Sequence, residues 1–262
     1  MRILIVTNHF LPENFRVNDL AFGMRDRGHA VTVLTGLPDY PDGEVYAGYG
    51  FIKRRDEVVD GVRIVRFPRL PRGDGRTWRL AANYLSGVLG ASLVAPLLSR
   101  DGYDVVFVFE TSPVTIGVPA VLLRALVGVP VIFWVLDLWP ESLSATGAVR
   151  SKLALAAARK GVRFLYRRCD RLLVSSRGFV KSIRATGGFA GEIDYFPNWV
   201  EPEYLAAPAT ATEPPGLPGL PDLPGLPDLP GLQGLPDGFR IVFAGNIGAA
   251  QDFDTLIAAA ER

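Results

Sequence analysis

Asn8, His9 and Glu13 follow one short apolar run and Asp137 and Glu141 follow another, and these five residues are the first places to look for chemistry. Residues 131–136 (VIFWVL) are apolar throughout and pass directly into Asp137-Leu138-Trp139-Pro140-Glu141-Ser142. A carboxylate leaving a buried strand is costly unless it serves a site or caps a helix. Two carboxylates four residues apart could bind ligand hydroxyls or act as a base. Equally, Glu141 could begin a helix and Asp137 could be a turn residue, and the residues alone leave both readings open. His9 could contact a substrate or orient a catalytic group, whereas His29 reads as structural. Two histidines and one cysteine without ligand spacing lead us to expect no metal site. Ser112 and Ser176 precede helical stretches and read as N-caps rather than nucleophiles. No Gly-x-Ser-x-Gly supports a hydrolase.

A third segment, Gly245-Asn246-Ile247-Gly248, joins a strand-like run to a helix-like one. Its small residues would let backbone N–H groups approach a phosphate at a helix N-terminus. The first strand–helix turn, in contrast, reads Asn8-His9-Phe10-Leu11-Pro12-Glu13 and has no Gly-x-Gly-x-x-Gly. That disfavours a dinucleotide at this turn, and a dehydrogenase with it.

The elements that must position these residues alternate. Strands are expected over residues 2–7, 30–35, 105–109, 131–136, 172–175 and 193–196, with a hairpin over 58–64 turning at Asp60-Gly61. A helix is expected over 15–27, with Phe15, Leu20, Phe22 and Met24 as core positions and Gly28 as its stop. Such alternation implies right-handed crossovers and a mostly parallel, doubly wound sheet. Ligands bind beyond the carboxyl ends of such strands. Residues 8–13, 36–41, 110–113, 137–141, 175–177 and 197–199 occupy those ends.

Composition divides the chain into 1–205, a Pro/Gly/Leu-rich linker over 206–238, and a strand and helix over 239–262. The last 24 residues cannot bury a core of their own, so the sequence reads as cut off within a second domain. A net charge of +1, from 28 basic and 27 acidic residues, argues against a nucleic-acid partner. Local clusters stand out, with nine Lys/Arg against four Asp/Glu over 53–79 and eight against one over 150–171. Such patches attract phosphates or anionic lipid. Residues 80–99 carry no formal charge but include Asn83, Gly87, Gly90 and Pro96, which favours a buried or membrane-surface helix over a span. The single cysteine, Cys169, fits a reducing cytoplasm.

Taken together, the sequence resembles the family-four retaining glycosyltransferases of GT-B fold, in particular the fucosamine-transferase-like branch of capsule, O-antigen and colanic-acid assembly. The resemblance is carried by residues 9–16 (HFLPENFR), 35–41 (TGLPDYP), 83–86 (NYLS), 133–147 (FWVLDLWPESLSATG), 196–199 (FPNW) and 244–248 (AGNIG). It implies an α/β fold, with a Rossmann-like doubly wound parallel sheet as the N-terminal domain and a truncated second Rossmann-like domain. It also implies a nucleotide-sugar donor, a polyprenyl-linked saccharide acceptor, retained anomeric configuration, and no cofactor or obligatory metal. Asp137, Glu141 and His9 would be catalytic, and Asn8, Pro12, Glu13 and Trp139 would bind acceptor. Gly245, Asn246 and Gly248 would approach the donor diphosphate. The expected location is the cytoplasm, peripheral to the anionic inner face of the cytoplasmic membrane. A sugar-nucleotide 2-epimerase of the same fold and a catalytically incompetent binding fragment are the alternatives. The family's basic pair and Glu-x7-Glu segment would lie past Arg262, so these 262 residues by themselves are expected not to transfer sugar.

Overall fold

The computed structural model describes residues 1–145, 147, 149, 151–200, 243 and 252–261. The chain divides into two compact units, Met1–Pro197 and Asn198–Arg262. In the second, a helix spans Phe253–Ala260, and Phe253 meets the Phe243 ring edge-on at 4.9 Å. The expected linker over 206–238, all of 239–245 but Phe243, and Gly245, Asn246 and Gly248 lie outside the described residues.

The first unit is an eight-stranded sheet in the order β3-β4-β2-β1-β5-β6-β7-β8. Its strands are β1 (Arg2–Thr7), β2 (Ala30–Gly36), β3 (Asp56–Val59), β4 (Val62–Phe67), β5 (Val105–Phe109), β6 (Val131–Val135), β7 (Arg171–Val174) and β8 (Ile193–Tyr195). Every neighbouring pair is parallel except β3 with β4. β1, at the centre, is buried from Ile3 to Thr7, as a strand covered on both faces must be. The β3–β4 hairpin turns at Asp60 and Gly61 with φ of 46° and 79°, the two positive values that a primed two-residue turn requires.

The helices are α1 (Arg16–Asp26), α2 (Thr77–Leu98), α3 (Gly117–Val127), α4 (Glu141–Ala145), α5 (Lys152–Tyr166) and α6 (Phe179–Thr186). The face that α1 buries differs from the expected one. Val17, Asn18 and Ala21 are buried, while Phe15, Leu20, Phe22 and Met24 are only half-buried. Val17 and Ala21, four apart, give the helix a narrow ridge that lets it approach the sheet, and the larger side chains flank it.

α2 is the element that matters most to the site. Asn83, Gly87, Gly90, Ala91, Val94, Ala95 and Leu98 form its buried face. A Cβ on Gly90 would fall 2.0 Å from the Pro68 carbonyl oxygen, so only glycine permits the helix to pass this close to the exit of β4. The opposite face carries Leu85, Leu89, Leu93 and Leu97, exposed by 61%, 56%, 74% and 73%. An 18-residue window within Thr77–Asp101 has a mean hydropathy of 1.4, and the segment is long enough to cross a membrane, yet this helix packs its other face on the sheet and α3.

Candidate functional site

The carboxyl ends of β2, β1 and β5 lie side by side, and the segments that follow them enclose a cavity of about 220 Å³. Asn8 and His9, directly after β1, form one wall. Thr111 and Ser112 after β5 and Tyr40 after β2 form a second, and Tyr84, Gly87 and Val88 of α2 close a third. Asn8 Nδ2 donates to the Thr111 carbonyl at 2.6 Å, which ties two strand ends together.

His9 is held on three sides. Its Nδ1 lies 2.9 Å from Glu13 Oε2, its ring stacks on Phe15 with centroids 4.7 Å apart, and it meets Tyr40 at 5.7 Å. Glu13 Oε1 accepts from the Asp39 and Tyr40 amides at 2.9 and 2.8 Å. Burial pushes the His9 imidazole below its ordinary 6.5, although the Glu13 hydrogen bond pulls the other way. Burial works against ionising Glu13, but His9, the Tyr40 amide and Arg69 outweigh it and hold this carboxyl below its ordinary 4.5. At neutral pH the pair is therefore a carboxylate accepting Nδ1–H from a neutral ring, which leaves Nε2 as a hydrogen-bond acceptor.

A second layer supports this pair. Arg69 Nη2 lies 2.5 Å from Asp39 Oδ1 and 4.0 Å from Glu13 Oε1, and its Nε donates to the Leu37 carbonyl at 3.0 Å. The other Asp39 oxygen accepts from the Arg72 amide at 2.8 Å and from Asn83 Nδ2 at 3.2 Å. Asp39, Arg69 and Asn83 are all buried. The ligand atoms of His9, Glu13 and Asp39 lie within 4.8 Å of one another, the one such group among the described residues. The Arg69 guanidinium already supplies the positive charge those carboxylates need, so the cluster does not suit a metal ion.

Past β6, Asp137 accepts a hydrogen bond from Ser112 Oγ, which in turn accepts from Trp139 Nε1 at 3.0 Å. Ser112 therefore links the β5 and β6 ends. It is not the N-cap expected of it, because the next turn starts at Val114 with Pro113 in that position and no side-chain cap. Ser176 likewise accepts from the Gly178 amide at 3.3 Å in the turn before α6, whose N-cap is Gly178. Glu141 opens α4 and accepts from Ser182 Oγ at 3.2 Å.

Of the residues singled out in the sequence, the structure places Asn8 and His9 on the cavity wall with Glu13 bonded to His9. Asp137 and Trp139 reach the cavity through Ser112. Pro12 is exposed, and neither it nor Glu141 lines the cavity. The sequence reading placed Tyr40 and Ser112 only within strand-end segments, without a role at the site, and missed Arg69 and Arg72. A signal existed for Asn83: it is the one amide on the otherwise apolar or glycine face of α2.

Glu110, at the exit of β5, is fully buried. Its Oε2 accepts from the Leu136 and Asp137 amides at 3.1 and 3.4 Å, and its Oε1 has no hydrogen-bond partner among the described residues. Burial pushes its carboxyl well above the ordinary 4.5. Through those two amides it fixes the backbone from which Asp137 projects.

An open α/β sheet with its cavity at the strand carboxyl ends defines a Rossmann-like domain, and two solved structures show which kind. Sucrose-phosphate synthase from Thermosynechococcus elongatus is 15% identical with a TM-score of 0.51, over 76% of this chain and 48% of that one. An E. coli structure described as trehalose-6-phosphate bound with UDP-2-fluoro glucose is 14% identical with a TM-score of 0.51, over 82% and 52%. The fold is that of a GT-B Rossmann-like domain, and the chain spans about half the length of these structures. Residues 14–199 match the model of the glycosyl transferase 4-like domain, and the chain belongs to that family. No match was found among curated protein sequences.

Proposed function

We propose that this domain holds the acceptor in a retaining glycosyltransferase, which moves a sugar from a nucleotide-sugar donor onto a polyprenyl-linked saccharide during surface-polysaccharide assembly. Family membership supports glycosyl transfer, and the sequence resemblance to the fucosamine-transferase-like branch supports the finer reading. The observation that carries the acceptor role is the cavity itself. Phe15, Tyr40 and Tyr84 offer ring faces for a pyranose, while Asn8, Asn83 and Ser112 offer partners for its hydroxyls.

In this reading the acceptor hydroxyl donates to His9 Nε2, so that its oxygen is aimed at the anomeric carbon, and Glu13 fixes the imidazole tautomer. Asp137 orients through Ser112. Glu141, tied to Ser182, supports the fold of the segment rather than the reaction. The enzyme acts on the inner face of the cytoplasmic membrane, with the exposed leucine face of α2 against lipid. In liposome sedimentation the chain should then pellet with anionic vesicles, and Leu89→Asp/Leu93→Asp should stay in the supernatant. Equal recovery of both proteins in the supernatant removes the membrane part of the reading.

The acceptor role is tested by His9→Ala in the longest in-frame product that transfers sugar from a nucleotide donor to membrane-extracted acceptor. Loss of one positioned acceptor group should lower kcat/KM for transfer about 10- to 100-fold. Hydrolysis of the donor by water, which needs no saccharide acceptor, should fall far less. Unchanged transfer, or an equal fall in both reactions, removes His9 from the acceptor site.

A further inference from the structure

Two arginines line the cavity, Arg69 and Arg72, and no carboxylate does. They are not equivalent. Arg69 is buried, with Asp39 at 2.5 Å and a peptide carbonyl on its Nε, so its charge is already answered within the protein. Arg72 is anchored only through its backbone, whose amide donates to Asp39 Oδ2 at 2.8 Å. Its guanidinium makes no hydrogen bond or ion pair with any described residue and lies over the Tyr40 ring, 5.6 Å from the centroid. Asp39 thus neutralises one arginine and, with its second oxygen, fixes where the other begins.

A guanidinium held over an aromatic ring keeps its N–H fork free for a planar or tetrahedral oxyanion. The neighbouring groups suit the same ligand. Asn83 and neutral His9 also line the cavity and add no competing negative charge. On the α2 side the wall turns apolar at Gly87 and Val88, next to the exposed Leu85 and Leu89. The lining therefore passes from a cationic end to an apolar stretch of one helix.

We propose that Arg72 binds a phosphate group carried by the acceptor. This rests on the cavity being the acceptor site, and adds that recognition is of a phosphorylated acceptor rather than of a neutral glycan. The phosphate could belong to a prenyl carrier or to a soluble sugar phosphate, and the two are separable by their non-phosphate parts.

The experiment is calorimetric titration of the full 262-residue chain with farnesyl diphosphate, glucose 1-phosphate and free glucose. Both phosphate-bearing probes, or one of them, should bind at least tenfold more tightly than glucose. Arg72→Ala should weaken phosphate-probe binding about tenfold or more, as loss of a charge-assisted fork implies, and Arg72→Lys should restore part of it. Tighter binding of farnesyl diphosphate assigns the phosphate to a prenyl carrier, and tighter binding of glucose 1-phosphate assigns it to a soluble sugar. The far-ultraviolet spectrum and melting temperature of Arg72→Ala should stay close to those of the parent chain, since the guanidinium makes no hydrogen bond or ion pair with any described residue and touches only the Tyr40 ring. Glucose binding as tightly as both phosphate probes, no binding of either phosphate probe, or an unchanged affinity in Arg72→Ala overturns the proposal. If it is overturned while His9→Ala still impairs transfer, the acceptor role of the cavity stands without a phosphate subsite. If His9→Ala is also silent, both fall.

Discussion

Asp39→Ala should destabilise the first unit by about 3–5 kcal/mol, the cost of breaking a buried ion pair by removing one partner. Asp39 is 1% exposed and Arg69 3% exposed, so water cannot replace the lost carboxylate. The substitution leaves the Arg69 guanidinium with Glu13 at 4.0 Å as its nearest opposite charge, takes the acceptor from the Arg72 amide, and leaves Asn83 Nδ2 with the Leu70 carbonyl at 2.5 Å. Asp39→Asn retains an oxygen for one of those donors and should lose less. Urea denaturation followed by tryptophan fluorescence measures both. A loss under 1 kcal/mol for the alanine variant would mean that Arg69 finds another partner and that Asp39 does not organise the site. Asp39 joins segments after β2 and β4 to α2, three elements that line one cavity.

This connection shows what the sequence could and could not disclose. The alternation of apolar strands and helices determines the sheet, and the carboxyl-end rule then places residues 8–13, 36–41 and 110–113 around one crevice. Asn8 and His9 were legible for that reason, since both sit immediately after a strand whose place in the sheet is decided by hydrophobic pattern. Arg69 and Arg72 were hidden in a basic run that reads equally well as a solvated surface. Nothing local distinguishes them from Arg63, which pairs with Asp56 and Asp101 away from the cavity. Their roles depend on Asp39, thirty residues earlier, and a contact over that distance has no periodic signature. Ser112 was misread because Ser before a helical stretch is a common cap, whereas here the competing acceptor, Asp137, comes from the next strand. Glu141 illustrates the converse: its two readings were open in the sequence, and the structure puts it at the head of α4 with the Ser182 hydroxyl on its carboxylate. The α1 core was displaced by side-chain size, because a helix that must lie close to a sheet buries Val17 and Ala21 before larger residues.

Glu110→Gln should stabilise the unit at pH 8 relative to the parent chain, because Gln has no proton for the unfolded chain to release. The direction follows from where its proton is held. In the unfolded chain this carboxyl titrates near 4.5, while in the folded state burial raises it well above that value. Its contribution is fully present below about 4.5, where both states hold the proton, and is lost as the pH climbs toward the folded value, because the unfolded chain releases a proton that the folded one retains. Gln cannot titrate, so the variant should lack this decline. Its side-chain oxygen can still accept from the Leu136 and Asp137 amides, and the isosteric change opens no cavity at the β5 exit. The difference in unfolding free energy between the variant and the parent chain should therefore be small near pH 4.5 and should widen toward pH 8. Taking the difference cancels the titration of His9 and Glu13, which both chains share. A constant difference across that range would mean that Glu110 is ionised in the fold at ordinary strength. Positioning of Asp137 would then rest on a buried carboxylate gripping two peptide amides, and Glu110→Gln would destabilise the loop that the neutral acid otherwise holds.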